Sequence, residues 1–104
     1  MAIIGIFSKQ EDGGYSGTIQ TLTYTTRAYF KPLAKRGDKS PDYHITGGLS
    51  EFGAAWTRAG EKGEAYLSVR LDDPGFAAPV NCRLIKGGIE DGYNLIWERD
   101  RKRS

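Results

Sequence analysis

The chain contains one histidine, His44, and one cysteine, Cys82, the two side chains best suited to nucleophilic or acid–base chemistry near neutral pH. Nucleophilic catalysis needs an activated group beside a base. His44 lies in Asp42-Tyr43-His44-Ile45, alternating with apolar neighbours, which places it on the solvent side of a strand. Cys82 falls in phase with Val80 and Leu84 and reads as a small, inert core residue. Asp72 and Asp73 are adjacent, so their carboxylates splay apart, a poor arrangement for a paired acid and base. Followed by Pro74 and Gly75, they read as a turn. No Cys, His or carboxylate spacing suits a zinc site. Gly13-Gly14 and Gly87-Gly88 precede no helix whose N-terminus would cradle a phosphate. The expectation is a non-enzymatic protein with no catalytic residues, no metal and no cofactor.

Binding chemistry has better material. Arg27, Tyr29 and Lys31 alternate along one stretch, and Tyr66 and Arg70 along another. A β surface that offers rings to bases and cations to phosphates is how OB-fold and related barrels hold single strands. Lys35 and Arg36 in the following polar stretch, and Arg101, Lys102 and Arg103 near the end, would add phosphate contacts. A plainer account stays open, because tyrosine favours strands, Lys or Arg on a solvent face is ordinary, and a polar tail is often merely solvated. The expected partner is nucleic acid, single-stranded DNA or RNA. The alternative is a protein–protein interaction module, either a homodimer or an anti-defence inhibitor (an anti-CRISPR, for example) acting on a host complex, with Trp and Tyr as anchors.

Charge gives only weak guidance. The formal net charge is +2, and the tail from Glu98, with Arg99, Arg101, Lys102 and Arg103 against Glu98 and Asp100, accounts for all of it. An inhibitor that mimics DNA would be strongly acidic, and this chain is not. The distribution is uneven, basic between Arg27 and Lys39 and acidic between Glu61 and Asp73, so the fold decides whether a polyanion meets one positive surface.

These residues have to be positioned by strands. The 14 glycines cluster between stretches rich in Tyr, Thr, Ile, Val and Phe, and no stretch keeps a helical apolar stripe. Leu67, Val69 and Leu71 share one face, opposite Tyr66, Ser68 and Arg70. Val80, Cys82 and Leu84 oppose Asn81 and Arg83, and Tyr93, Leu95 and Trp97 form a further set. Tyr43 with Ile45, and Ala28 with Phe30, point inward, which leaves Arg27, Tyr29 and Lys31 outside. Phe52, Ala54 and Trp56 read as one face, with Gly53 and Ala55 on the other. Ile19 and Leu22 are out of phase, which predicts a bulge or bend in a strand from Tyr15 to Tyr24. Residues Pro32 to Pro41 read as a polar loop. The fold class is all-β: a small antiparallel barrel or sandwich of seven to eight strands, an OB-like barrel among the options, with a single domain over residues 1–98 and a basic tail over 99–104. One unpaired cysteine and no leader or membrane-spanning apolar run predict a cytoplasmic protein without membrane contact.

Several segments, in order, resemble one bacterial family. They are Met1-Ala2-Ile3-Ile4-Gly5, Tyr15-Ser16-Gly17-Thr18-Ile19, Glu51-Phe52-Gly53-Ala54-Ala55-Trp56, Tyr66-Leu67-Ser68-Val69-Arg70-Leu71-Asp72-Asp73-Pro74 and Tyr93-Asn94-Leu95-Ile96-Trp97. Together they resemble the family known as domain of unknown function 736, across nearly the whole chain. The resemblance implies a small proteobacterial protein, often encoded on plasmids and other mobile genetic elements, and brings no catalytic residues. The chain departs from the family pattern between Tyr24 and His44 and in its tail.

Overall fold

The computed structural model describes residues 2–34, 36–48, 50–60, 63–87 and 92–97. Eight strands follow one another: β1 (Ala2–Lys9), β2 (Tyr15–Gln20), β3 (Thr25–Pro32), β4 (Tyr43–Gly47), β5 (Ser50–Ala59), β6 (Ala65–Leu71), β7 (Val80–Lys86) and β8 (Gly92–Trp97). Each pairs antiparallel with the next, and β8 returns to pair with β1, closing a barrel. Of the closures open at the sequence, the barrel is the one realised. Its connectivity is a meander, not the five-stranded Greek key of an OB barrel.

Period-two alternation fills the interior. Phe7, Ile19, Phe30, Ile45, Leu71, Leu84 and Leu95 are almost wholly buried, with Leu67, Val69 and Cys82 beside them. One end is packed by rings: Phe7 meets Phe30 edge-on at 5.1 Å between centroids, and Tyr15 meets Tyr93 at 4.9 Å and Tyr43 at 5.7 Å. Edge-to-face contact suits the ring quadrupoles. The Phe7 ring fits because residue 17 is glycine, where a Cβ would sit 2.8 Å from Phe7 Cγ. At the other end Tyr24 stacks on Phe76 at 5.4 Å.

Two irregularities correct the alternation read from sequence. In β5, Ile45 pairs with Gly53 while Thr46 pairs with Glu51, so Phe52 is the extra residue of a bulge. The bulge shifts the phase: Phe52 and Ala55 are buried, while Ala54 and Trp56 lie opposite Arg70 and Ser68 on the outer surface. Phe52, Ala54 and Trp56 therefore do not share a face. The second concerns residues 15–24. Strand β2 stops at Gln20, and Thr21 to Tyr24 form a turn closed by Thr21 N donating to Tyr24 O at 2.8 Å. Ile19 and Leu22 are out of phase because Leu22 stands in that turn, not because the strand bends.

The turn expected after β6 is present. The Asp73 carboxylate accepts from Gly75 N at 2.9 Å, which makes the Asp72-Asp73-Pro74-Gly75 turn and uses Asp73 structurally. None of the described residues forms a helix long and apolar enough to cross a membrane.

Candidate nucleic-acid interface

The outer surface of the barrel carries the binding candidates, and strand register decides which of them meet. Arg27, Tyr29 and Lys31 lie outside on β3, since Ala28 and Phe30 are buried. Tyr66 and Arg70 lie outside on β6, alternating with buried Leu67, Val69 and Leu71. Between β3 and β6 stand β4 and β5. The two sets are thus not neighbours, although one cross-barrel row links them: Lys31 opposes His44, His44 opposes Ala54, and Ala54 opposes Arg70.

Tyr29 is already engaged. Its hydroxyl donates to the Asp12 carboxylate in the β1–β2 turn, and its ring lies over Gly14, where a Cβ would come within 3.0 Å of it. The hydrogen bond from Tyr29, helped by Gly14 N donating at 2.8 Å, holds the Asp12 carboxyl below its ordinary range. The same bond raises the Tyr29 hydroxyl. His44 contacts Glu51 through Nδ1. Among the described residues, no group of three His, Cys, Asp or Glu is placed to hold a metal ion.

The β6 set is joined by residues that the sequence did not single out. Arg58 on β5 pairs directly with Tyr66, and Trp56 pairs with Ser68. On β7, Arg83 pairs with Ser68 and Asn81 with Arg70. The Arg83 guanidinium carbon sits 5.7 Å from the centre of the Tyr66 ring. Outward positions on β5 from Ala54 to Arg58, on β6 from Tyr66 to Arg70 and on β7 from Asn81 to Arg83 therefore hold Arg58, Arg70 and Arg83, two aromatic rings and no carboxylate. Alternation along β7 already pointed Arg83 outward. Its meeting with Tyr66 required the pairing of β6 with β7.

The basic loop between β3 and β4 is drawn to the same side. The Trp56 indole donates to the Lys39 carbonyl at 3.1 Å, Thr57 N donates to the Asp42 carboxylate at 2.8 Å, and Asp42 N donates to Ala55 O at 2.8 Å. Asp42 continues the β4–β5 ladder past Tyr43, and the Lys39 backbone comes to rest beside the outer face of β5. Arg36 is exposed within this loop. Lys35, Arg101, Lys102 and Arg103 lie outside the described residues.

Residues 3–100 match the model of the family described as protein of unknown function (DUF736). The chain belongs to that family. No curated protein and no solved structure shows a match to it. The outer β5–β7 surface of this DUF736 member has a chemistry of its own. Three guanidiniums beside two rings have no acid–base pair or nucleophile among them, and what they offer is attraction to anions together with flat stacking surface.

Proposed function

We propose that the protein is a non-catalytic nucleic-acid-binding module of a mobile genetic element, and that the outer surface of β5, β6 and β7 takes single-stranded DNA or RNA. Arg58, Arg70 and Arg83 meet phosphates, while Tyr66 and Trp56 offer rings against which bases stack. The observation that carries this reading is the continuity of the surface, three arginines and two aromatics on adjoining strands with no carboxylate between them. A polyanion approaching it meets three cations, with the Asp42 carboxylate tied to Thr57 N beside them, and stacking tolerates any base. Lys31 on β3 is separated from Arg70 by His44 and Ala54 in one row, and Arg27, Lys31 and exposed Arg36 would serve as outlying contacts for a longer strand.

The experiment is a titration of fluorescently labelled single strands at about 50 and 200 mM salt, where counterion release separates phosphate contacts from other binding. Binding that weakens steeply with salt, and that is lost in the Arg70→Glu/Arg83→Glu variant, supports the reading. No binding at the lower salt removes it.

The alternative, a module that binds protein, draws on a different surface, an uncharged groove on β1 and β2.

A further inference from the structure

Among the described residues, the large apolar side chains left exposed are Ile3 (58%), Ile6 (62%) and Leu22 (105%). All of them line one groove of about 860 Å³ that runs from the outer face of β1 and β2, past the Thr21–Tyr24 turn, to Tyr24, Val80 and Trp97 at the barrel rim. An irregularity in β1 creates this surface. Ile3 pairs with Ile96 and Gly5 with Leu95, so Ile4 is the extra residue of a bulge, and Ile3 and Ile6 both turn outward although they stand three positions apart.

We infer that a second copy of this chain occupies the groove, in a two-fold pair in which Leu22 of each copy enters the groove of the other. The first reason is charge. The protein has 15 basic and 13 acidic residues, yet none of the described residues lining the groove is charged. A surface that meets its own copy across a two-fold axis brings like groups together, and here that juxtaposition involves no repulsion.

The second reason is shape. Leu22 projects at the edge of the groove, so the same surface presents both a knob and a hole, and two-fold pairing fills both holes with both knobs. The knob is held in place: Thr21 Oγ1 accepts from Thr23 N and from Tyr24 N, each at 3.2 Å, and Thr21 N donates to Tyr24 O at 2.8 Å. An apolar anchor fixed before contact loses little freedom on binding.

The third reason is topology. The barrel closes on itself, and no strand has an open edge through which copies could extend a common sheet. Self-association has to proceed through a face, and the outward isoleucines mark which one. None of Arg58, Tyr66, Arg70 and Arg83 lines the groove. The inference therefore stands independently of any nucleic-acid role.

Sedimentation equilibrium over about 1 to 100 μM, which detects a dimer of micromolar or tighter affinity, tests it. The wild-type chain is expected to be a dimer. Leu22→Asp, at a fully exposed turn position, is expected to weaken association by about 30-fold or more, as loss of a central anchor does, with an unchanged thermal melt. As a second measurement, the Leu22→Cys/Ile6→Cys double variant is expected to form a disulfide-linked dimer under mild oxidation, because Cys82 is buried and does not compete. A wild-type monomer throughout the range overturns the inference. So does a dimer that survives Leu22→Asp and fails to cross-link.

Discussion

Arg83 lies over the ring of Tyr66, its guanidinium carbon 5.7 Å from the centroid, although the two residues sit on different strands and 17 positions apart in the chain. The cation and the ring stand side by side on the outer surface, so that under the proposed function one nucleotide would meet charge and stacking surface together. The two contributions separate in a salt titration. Tyr66→Ala is expected to weaken single-strand binding by about 1–3 kcal/mol, the usual cost of losing one stacked base, with the dependence of log K on log salt unchanged. Arg70→Ala is expected to lower the slope of that dependence by about 0.7, the value of one phosphate contact on a single strand. Fluorescence anisotropy across four salt concentrations reads both. A slope change for Tyr66→Ala would contradict the assignment of its role.

The Tyr29 hydroxyl bond to Asp12 predicts an acid response. The Asp12 carboxyl is held below its ordinary range by that bond first and by Gly14 N second. A carboxyl lowered in the folded state contributes stability above its unfolded value, and the contribution is lost as pH falls through the folded value. In the Tyr29→Phe variant the Asp12 titration is expected to move upward toward the ordinary carboxylate range, and the variant is expected to lose less stability than wild type below about pH 4. Carbon-detected NMR titration of the Asp12 side chain follows the first effect, and urea midpoints at descending pH follow the second.

Much of the barrel was legible because its strands obey period-two alternation in the open. Leu67, Val69 and Leu71 on β6 and Cys82 and Leu84 on β7 are buried as their spacing predicts, and Arg27, Tyr29, Lys31, Tyr66 and Arg70 all lie outside. Illegible features depend on pairing. The bulge at Phe52 has no local mark, because Gly53, Ala54 and Ala55 are small enough to face either way, and it is Ile45 and Thr46 on the neighbouring strand that reveal it. Period-two alternation alone consequently puts Trp56 on the wrong side. Leu22 was assigned to a strand because a hydrophobic residue in a turn breaks the polar pattern expected there, and the hydrogen bonds of Thr21 explain how the turn forms despite it. The candidate surface shows the same division. Outward direction was readable residue by residue, while the meeting of Arg58, Tyr66 and Arg83 follows only from β5, β6 and β7 being neighbours.

Cys82 predicts behaviour at the alkaline end. Burial pushes its thiol up to about 12, and burial likewise raises the Tyr15 hydroxyl, with Tyr43 and Tyr93 adding to the effect. A group that keeps its proton longer when folded contributes stability fully below its unfolded value, and loses it as pH rises toward the folded value. For Cys82 that window runs from the ordinary value of 9.0 up to about 12. A thiol reagent at pH 8 is therefore expected to leave the folded protein unmodified and to react at once after unfolding in guanidinium. Above pH 9, Cys82→Ala is expected to lose stability less steeply than wild type, by thermal melts. Rapid labelling of the folded protein would show the thiol to be accessible.

The Trp56 indole predicts how the basic loop is held. Its N–H donates to the Lys39 carbonyl on the outer side of β5, while the Asp42 backbone and carboxylate tie the end of the loop to Ala55 and Thr57. Trp56→Phe keeps a ring against the strand and removes that donor, leaving the Asp42 contacts in place. Losing one such bond costs about 0.5–1.5 kcal/mol, which raises the open population of the loop by about 2- to 10-fold and leaves the barrel intact. Tryptic cleavage after Arg36 and Lys39 tracks that population when opening is fast relative to cleavage, so its rate is expected to rise by the same factor with an unchanged melting temperature. The variant also tests whether the loop serves the β5–β7 surface. If Lys39 is held there to meet phosphates, single-strand affinity falls in Trp56→Phe, and adding Lys39→Ala to it produces little further loss, because both changes remove one contact. Additive losses from the two substitutions would show that the indole and Lys39 act on nucleic acid independently of each other, and no loss from Lys39→Ala would show that this lysine has no part in binding.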